Sequence, residues 1–393
     1  MEKKKIKDLG GVFTGSTPSK KDASFYTTND IPFIKPSDLS NNIKTLSTAE
    51  NFISENARKV ARIIPPNCVL CTCIGIIGKV GINSVEATCN QQINYLIPDK
   101  NNLPEFIGYS LLSIKDKLEE VGKDSPIVPI INKSTFENFE IPYYSKEKQI
   151  GIVNMLNSIN NAILLAKQRL SALDELVKSR FIEMFGDCVS NTKEWNTYRL
   201  SDVCDVRDGT HDSPEYYSVG TPLITSKNIS SGCLDFSNVN LISEEDAKMI
   251  NKRSKVDYGD ILLPMIGTVG GAVIVDIEPN FCIKNVALIK FTKSNIRNVF
   301  VREYLNSDAV NNVFENVKNG GTQKFVGLGT IRNLIISVPP IELQNEFAEF
   351  VKLIDKSKFV CHSKNFLCDI LTFSSSTIAY PSVVSIFVCP KRC

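Results

Sequence analysis

Apolar residues fall into two kinds of pattern along this chain. Short apolar runs bounded by Gly and Pro, such as Ile31-Pro32-Phe33-Ile34 and the stretch from Val69 to Ile77, read as strands. Between Glu147 and Phe185 the pattern becomes helical. From Ile152, the apolar positions Leu156, Ile159, Ile163, Ala166, Leu170, Leu173 and Val177 follow in alternating steps of four and three. That period predicts a long helix burying one stripe against a partner helix, as in a coiled coil. At 1.5 Å per residue it would run ~58 Å, and Gly186 is a natural stop. Such a helix would overhang the residues 1–145 that precede it, so it reads as a spacer between globular modules.

The strand-like landmarks recur in order. Ile31-Pro32-Phe33-Ile34, followed by Lys35-Pro36-Ser37-Asp38-Leu39, matches Thr221-Pro222-Leu223-Ile224, followed by Thr225-Ser226-Lys227-Asn228-Ile229. Ile74-Gly75-Ile76-Ile77-Gly78 matches Ile266-Gly267-Thr268-Val269-Gly270, and Cys89-Asn90-Gln91-Gln92-Ile93 matches Cys282-Ile283-Lys284-Asn285-Val286. Glu147-Lys148-Gln149 matches Glu342-Leu343-Gln344, each opening a helix after a Pro-containing entry. The separation creeps from 190 residues at Ile31 and Thr221 to 195 at Glu147 and Glu342, as small loop insertions produce. Four landmarks in register predict two diverged copies of one module. The expected fold is α/β, with mixed α+β domains, long coiled-coil-like spacer helices and an internal two-fold repeat. The expected boundaries are a first module at 1–145, a spacer helix at 146–187, a second module at 188–341, the start of a second helix at 342–359 and an atypical tail at 360–393.

The second helix begins with Phe347, Val351 and Ile354 at the positions of Ile152, Leu156 and Ile159, and then the pattern collapses. Beyond residue 360 charges nearly vanish, Pro381 intrudes, four of the twelve cysteines gather, and no heptad can be drawn. A frameshift or recombination junction near Lys358 accounts for such a tail; a genuine C-terminal extension is the alternative. A truncated helix pair would leave the apolar face of the first helix partly uncovered, inviting dimerisation through it.

Composition narrows the classes. The chain is 42% hydrophobic and 22% charged, as in globular proteins. It shows no run of ~18 apolar residues and no signal-peptide core, which points to a cytoplasmic protein without membrane contact. Its cysteines read mostly as small core residues in a reducing compartment. With only His211 and His362 as imidazoles, no metal site and no catalytic residue is expected. Lys and Arg total 45 against 43 acids, a formal charge of +2, so nucleic-acid binding has to be argued from organisation rather than from a basic footprint.

In this arrangement the chain resembles the specificity subunits of type I restriction-modification systems. The resemblance covers residues 1 to about 359. It rests on the repeat, on the entries Ile141-Pro142 to Gln149 and Val338-Pro339-Pro340-Ile341-Glu342-Leu343-Gln344, and on Gly321-Thr322-Gln323 shortly before the second. It implies that each module reads one half of a split double-stranded DNA target while two antiparallel helices set the gap. It also implies partners: modification (methyltransferase) subunits and restriction (motor-nuclease) subunits. Those partners would use S-adenosylmethionine, ATP and Mg, with no cofactor in this chain. The sequence has no Asn-Pro-Pro-Tyr or Asp-Pro-Pro-Tyr methyltransferase motif and no Gly-x-x-x-x-Gly-Lys-Ser/Thr phosphate loop. The expected function is thus non-catalytic DNA reading; the alternative is a degenerate or truncated subunit acting as a structural adaptor or through dimerisation.

Base readout needs donors and acceptors that match base edges. In the first module Lys35, Ser37, Lys79, Gln91 and Gln92 are the candidates, and in the second Ser226, Lys227, Asn228, Lys284 and Asn285. Lys20, Lys21, Arg207 and Lys324 are candidate phosphate contacts, with Gln323 beside the last. The helix-pairing residues are Ile152, Leu156, Ile159, Ile163, Leu170, Leu173 and Val177 with Phe347, Val351 and Ile354. His211 reads as an ordinary turn residue.

Overall fold

The computed structural model describes residues 2–123, 127–229, 232–266, 271–291, 295–317 and 325–362. The chain forms two compact units that part between Ile163 and Leu164.

In the first unit a five-stranded sheet runs in the order Gly10–Thr14, Ile93–Pro98, Val69–Thr72, Val80–Asn83, Thr45–Leu46. A smaller sheet places Ile31–Ile34 between Phe52–Ile53 and Thr88–Cys89. A ribbon pairs Lys3–Lys5 with Glu140–Pro142. The second unit repeats this plan: Asp205–Asp208, Val286–Lys290, Ile261–Pro264, Val273–Ile274 in the larger sheet; Asn240–Ile242, Thr221–Ile224, Cys282–Ile283 in the smaller; and Asn196–Arg199 with Ile335–Val338 as the ribbon. The fold is mixed α/β with an internal two-fold repeat. Val69–Thr72 and Ile261–Pro264 are buried at every position, which is why they read as continuous apolar runs and not as alternating ones.

The repeat needs one correction. In the first unit Ile34 pairs with Cys89, and in the second Ile224 pairs with Ile283, so Cys89 corresponds to Ile283 and not to Cys282. One strand later Ile93 faces Thr72 as Val286 faces Pro264. The turn between is therefore one residue shorter in the second unit. Asn90 corresponds to Lys284, since their N–H groups donate to the Ile34 and Ile224 carbonyls, and Asn285 stands where the first unit has Gln91 and Gln92; its φ of 54° lies in the left-handed region that Asn tolerates in tight turns.

Each unit ends in a helix anchored by a buried glutamine. Gln149 Oε1 accepts from the Leu103 N–H at 2.8 Å, and its Nε2 donates to the Tyr144 carbonyl at 2.8 Å. Gln344 repeats this with the Arg297 N–H at 2.8 Å and the Pro339 carbonyl at 2.8 Å. Both are 0% exposed, so the Glu-x-Gln landmark marks a structural clamp that joins the helix entry to the preceding helix, Pro104–Ser113 or Asn298–Asn306.

The long helix, Lys146–Phe185, has 40 residues, about 60 Å at 1.5 Å per residue. Gly186 ends it with φ of 72°. Ile152, Val153 and Leu156 pack on Phe106 and Tyr109, whose hydroxyl donates to Asn157 Oδ1 at 2.6 Å. In the second unit Phe181 and Phe185 stack with Phe300 and Phe347 at centroid distances of 5.0 to 5.5 Å. The final helix, Ile341–His362, runs antiparallel to this end of the long helix, since Glu346 meets Arg180 at 2.9 Å and Lys358 meets Asp174 at 2.6 Å. Phe347, Val351 and Ile354 are buried against Val177, with Leu173 partly covered.

The expected seam is therefore covered at its ends only. From Asn160 to Leu176 no residue of the long helix is buried. Ile163 is 36% exposed and Leu170 only half-buried, contrary to their expected pairing, and Leu164 and Leu165 are exposed as well. Among the described residues, the contacts of the final helix with the long helix reach as far as Lys358, which meets Asp174 at 2.6 Å. The helix itself continues to His362; the remainder of the atypical tail lies outside the described residues.

Candidate nucleic-acid interface

At one end of the larger sheet in each unit, two loops meet. The first leaves the edge strand as Gly15-Ser16-Thr17 or Gly209-Thr210-His211. The second is the turn at Asn90-Gln91-Gln92 or Lys284-Asn285. The Gly15 N–H donates to the Ile93 carbonyl and the Ser16 N–H to the Cys89 carbonyl, at 3.0 and 2.8 Å; Gly209 and Thr210 do the same with Val286 and Ile283, at 2.9 and 3.0 Å. The chains approach so closely that a Cβ on Gly15 would stand 2.2 Å from the Asn90 carbonyl oxygen, and one on Gly209 2.5 Å from that of Ile283. Glycine is required at both positions.

This packing sets a side chain of one loop against an amide of the other. Thr17 Oγ1 donates to Gln91 Oε1 at 2.5 Å. His211, which follows Thr210 as Thr17 follows Ser16, has Nδ1 2.8 Å from Asn285 Oδ1 and Nε2 2.9 Å from Asp208 Oδ2. These hydrogen bonds, to Asn285 first and to Asp208 second, hold the imidazole above its ordinary pKa. His211 is a turn residue, as expected, and is also the hub of a polar cluster. An arginine supports each pair: Arg62 Nη1 donates to the Thr14 carbonyl at 2.6 Å, and Arg253 Nη2 to Asp208 Oδ1 at 2.6 Å and the Gly209 carbonyl at 3.0 Å.

In the first unit Gln91 lines a cleft of about 510 Å³ together with Lys20 and Lys35, over an aromatic floor of Tyr26, Phe33 and Phe52. Lys35 Nζ lies 2.7 Å from Asn51 Oδ1 and 5.6 Å from the Phe33 ring centroid. Cationic and amide groups above aromatic rings suit a polyanion that also presents π-faces. Lys21, Ser37, Lys79 and Gln92 do not line this cleft. Lys21 and Ser37 are exposed, with Ser37 Oγ 3.4 Å from Glu50 Oε2; Lys79 flanks Thr72; and Gln92 Oε1 accepts from Asn90 Nδ2 at 2.9 Å.

In the second unit Lys284 Nζ donates to Ser213 Oγ at 2.7 Å, and Ser226 Oγ to the Asn285 carbonyl at 3.3 Å, so these three candidates share one locus with His211. Lys227 is exposed in the neighbouring turn. Arg207 grips Asp205 Oδ2 through Nε and Nη2 at 2.9 and 2.6 Å, which offsets its charge toward a phosphate. Asn228 requires a correction. It is buried, its Oδ1 accepts from the Thr225 N–H at 3.0 Å, and its Nδ2 donates to the Asp235 carbonyl at 3.1 Å. Asp38 closes the equivalent turn from Lys35 N–H at 2.8 Å. Asn228 therefore holds its own turn, and its amide is consumed by backbone. Gln323, Lys324, Gly267 and Gly270 lie outside the described residues.

The sequence reasoning missed Thr17, Arg62 and Arg253, and it assigned His211 no contact. A signal existed: Gly-Ser-Thr at residues 15–17 and Gly-Thr-His at 209–211 are a fifth paired landmark in the same order, 194 residues apart. The Cys68-Val69-Leu70-Cys71 spacing also stands in the first module. Both thiols are buried, Cys68 is pushed up to about 12 by burial, and among the described residues no group of three or more metal-capable side chains occurs. Among those residues, too, no helix is long and apolar enough to cross a membrane.

Comparison with known proteins places this geometry. A family model described as the type I restriction modification DNA specificity domain matches twice, at residues 1–175 and 192–364. The chain is 28% identical over 379 residues to the type I restriction enzyme MjaIX specificity subunit of Methanocaldococcus jannaschii, across 89% of this chain and 85% of that one. It is 32% identical over 193 residues to the HindI specificity subunit of Haemophilus influenzae, across 46% of this chain and 40% of that one. Among solved structures, a type I restriction-modification S subunit from M. genitalium superposes with a TM-score of 0.53 at 14% identity, covering 95% of this chain and 94% of that one. A chain from a study of complex assembly and conformational transition of the type I R-M system gives 0.56 at 12%, covering 95% of each. At these identities the likeness is one of fold.

Proposed function

From a chain that belongs to the type I restriction-modification DNA specificity family, we infer a subunit that reads DNA sequence for its complex and carries no catalytic chemistry of its own. One observation carries this reading: a single strand plan, built twice, offers different side chains at the same pair of loops. Two frames of that kind suit a bipartite target, each reading one half through donors and acceptors matched to base edges. The long helix supplies reach, since about 60 Å exceeds one turn of B-DNA, ~34 to 36 Å, and falls short of two.

The proposed partners are double-stranded DNA, modification subunits that bring the methyltransferase chemistry with S-adenosylmethionine, and restriction subunits that bring ATP- and Mg-dependent cleavage. The formal charge of +2 supports dependence on those partners. Affinity for DNA grows with the number of phosphates neutralised, so a chain with few surplus cations binds weakly alone.

The test is to co-express the chain with its modification subunits and map methylated positions across a genome. A two-part motif that vanishes with this chain is the expected result. Methylation with no sequence preference would identify an adaptor, and methyl transfer by the isolated chain would identify an enzyme.

A further inference from the structure

The two loop pairs differ in composition and agree in construction. In each, one amide is set by a partner on the opposite loop: Gln91 by Thr17 at 2.5 Å and Asn285 by His211 at 2.8 Å. In each, the amide oxygen is the atom engaged, and among the described residues no hydrogen bond occupies Gln91 Nε2 or Asn285 Nδ2. A turn-stabilising bond would not need to recur after the turn has lost a residue and both side chains have changed. It recurs here with the same atom type turned inward.

We propose that Gln91 and Asn285 are specificity-determining residues, each presenting its NH2 group to a base edge, and that Thr17 and His211 are positioning residues that fix which end of the amide faces outward. The proposal rests on the DNA-reading function above and adds the atoms that do it. An outward NH2 is a pair of donors, suited to edges that offer acceptors, such as guanine O6 and N7 or thymine O4.

The two positioning residues differ in one chemical respect. A hydroxyl donates at any physiological pH. An imidazole that donates from Nδ1 to Asn285 and from Nε2 to Asp208 has to carry both protons. On losing one while keeping Nε2–H on Asp208, its Nδ1 becomes an acceptor, which draws the Asn285 NH2 inward and turns the carbonyl outward. The charged groups facing the ring are Asp208 on the adjoining strand and Arg253 from the helix Glu244–Ser254, whose guanidinium occupies the other Asp208 oxygen at 2.6 Å. Reading by the second module is therefore pH-dependent and reading by the first is not.

The experiment assembles the full chain with modification subunits and scores methylation of a randomised-target plasmid library between pH 6 and 9. Asn285→Asp and Asn285→Gly are the informative variants, since both residues tolerate the left-handed turn. Asn285→Asp replaces the donors by acceptors and is expected to shift one position of one half-site by tenfold or more, with the other half intact; Asn285→Gly is expected to relax that position. An unchanged motif in both variants overturns the reading role. In the wild type, preference at that position is expected to fall at high pH, and His211→Thr, which copies the first module, is expected to keep the low-pH motif and flatten the profile. A flat wild-type profile overturns the positioning role of His211. A wild-type complex with no two-part motif would overturn the DNA-reading function itself, a result distinct from either.

Discussion

Between the two units the frame is shared and the presented surface is not. Both units place Gly-x-x after the edge strand, pack it against the turn between the two sheets, and clamp the outgoing helix with a glutamine that is 0% exposed. The first unit then offers Thr17, Gln91 and a lysine-rimmed aromatic cleft; the second offers His211, Asn285, Lys284 and a tighter turn. The residues that repeat are buried or pinned by backbone contact, where a change leaves a polar group unpaired or a clash. The side chains that differ at the loops are exposed or half-buried, where substitution is cheap for folding and consequential for a ligand.

That contrast can be broken first at the aromatic cluster of the second unit. Phe347→Ala removes a ring packed on Phe181 and Phe185, and is expected to lower the stability of that unit by about 3–5 kcal/mol in denaturant melts. The first unit anchors its helix with Ile152 and Leu156 and has no ring equivalent to Phe347, so it should keep its own midpoint. Next come the clamps. Gln149→Leu and Gln344→Leu each strand a buried N–H and carbonyl and are expected to cost about 2–4 kcal/mol, equally in both units. Clearly unequal losses would mean that the shared frame is less shared than its hydrogen bonds suggest.

A smaller effect separates the units by pH. His211 is held above its ordinary value by Asn285 and then Asp208. A raised folded pKa contributes stability that is complete below the unfolded value of about 6.5 and is lost as pH rises through the folded value. The melting temperature of the second unit is expected to drop slightly across that window, and His211→Thr to remove the drop. Smallest of all is the open middle of the long helix. Leu164→Glu and Leu165→Glu are expected to change stability by no more than about 0.5 kcal/mol, because both side chains are exposed; a loss several times larger would reveal a covering partner.

The repeat, the long helix and its stop at Gly186 were legible because periodicity and backbone-demanding residues leave marks in sequence. Packing along the helix was less so. Ile163 and Leu170 fit the seam as well as Ile152 does, but burial depends on whether a second element lies alongside, and apolar spacing does not encode that. The register slip at Cys89 and Cys282 has a similar origin: matching residue types pair the two cysteines, whereas strand pairing sets Cys89 against Ile34 as it sets Ile283 against Ile224. Asn228 and Asn285 have the same side chain in neighbouring turns. One amide is consumed by backbone and the other keeps its NH2 available, a difference set by burial.

The central claim is that each unit reads its own half of a split target through loops held on a common frame. It is tested most directly by replacing residues 6–139 with the corresponding module of a family member of different specificity and mapping the methylated motif of the assembled complex. The account predicts that one half of the motif changes to that of the donor while the other half and the gap stay as they were. A motif altered in both halves, or in neither, would contradict it.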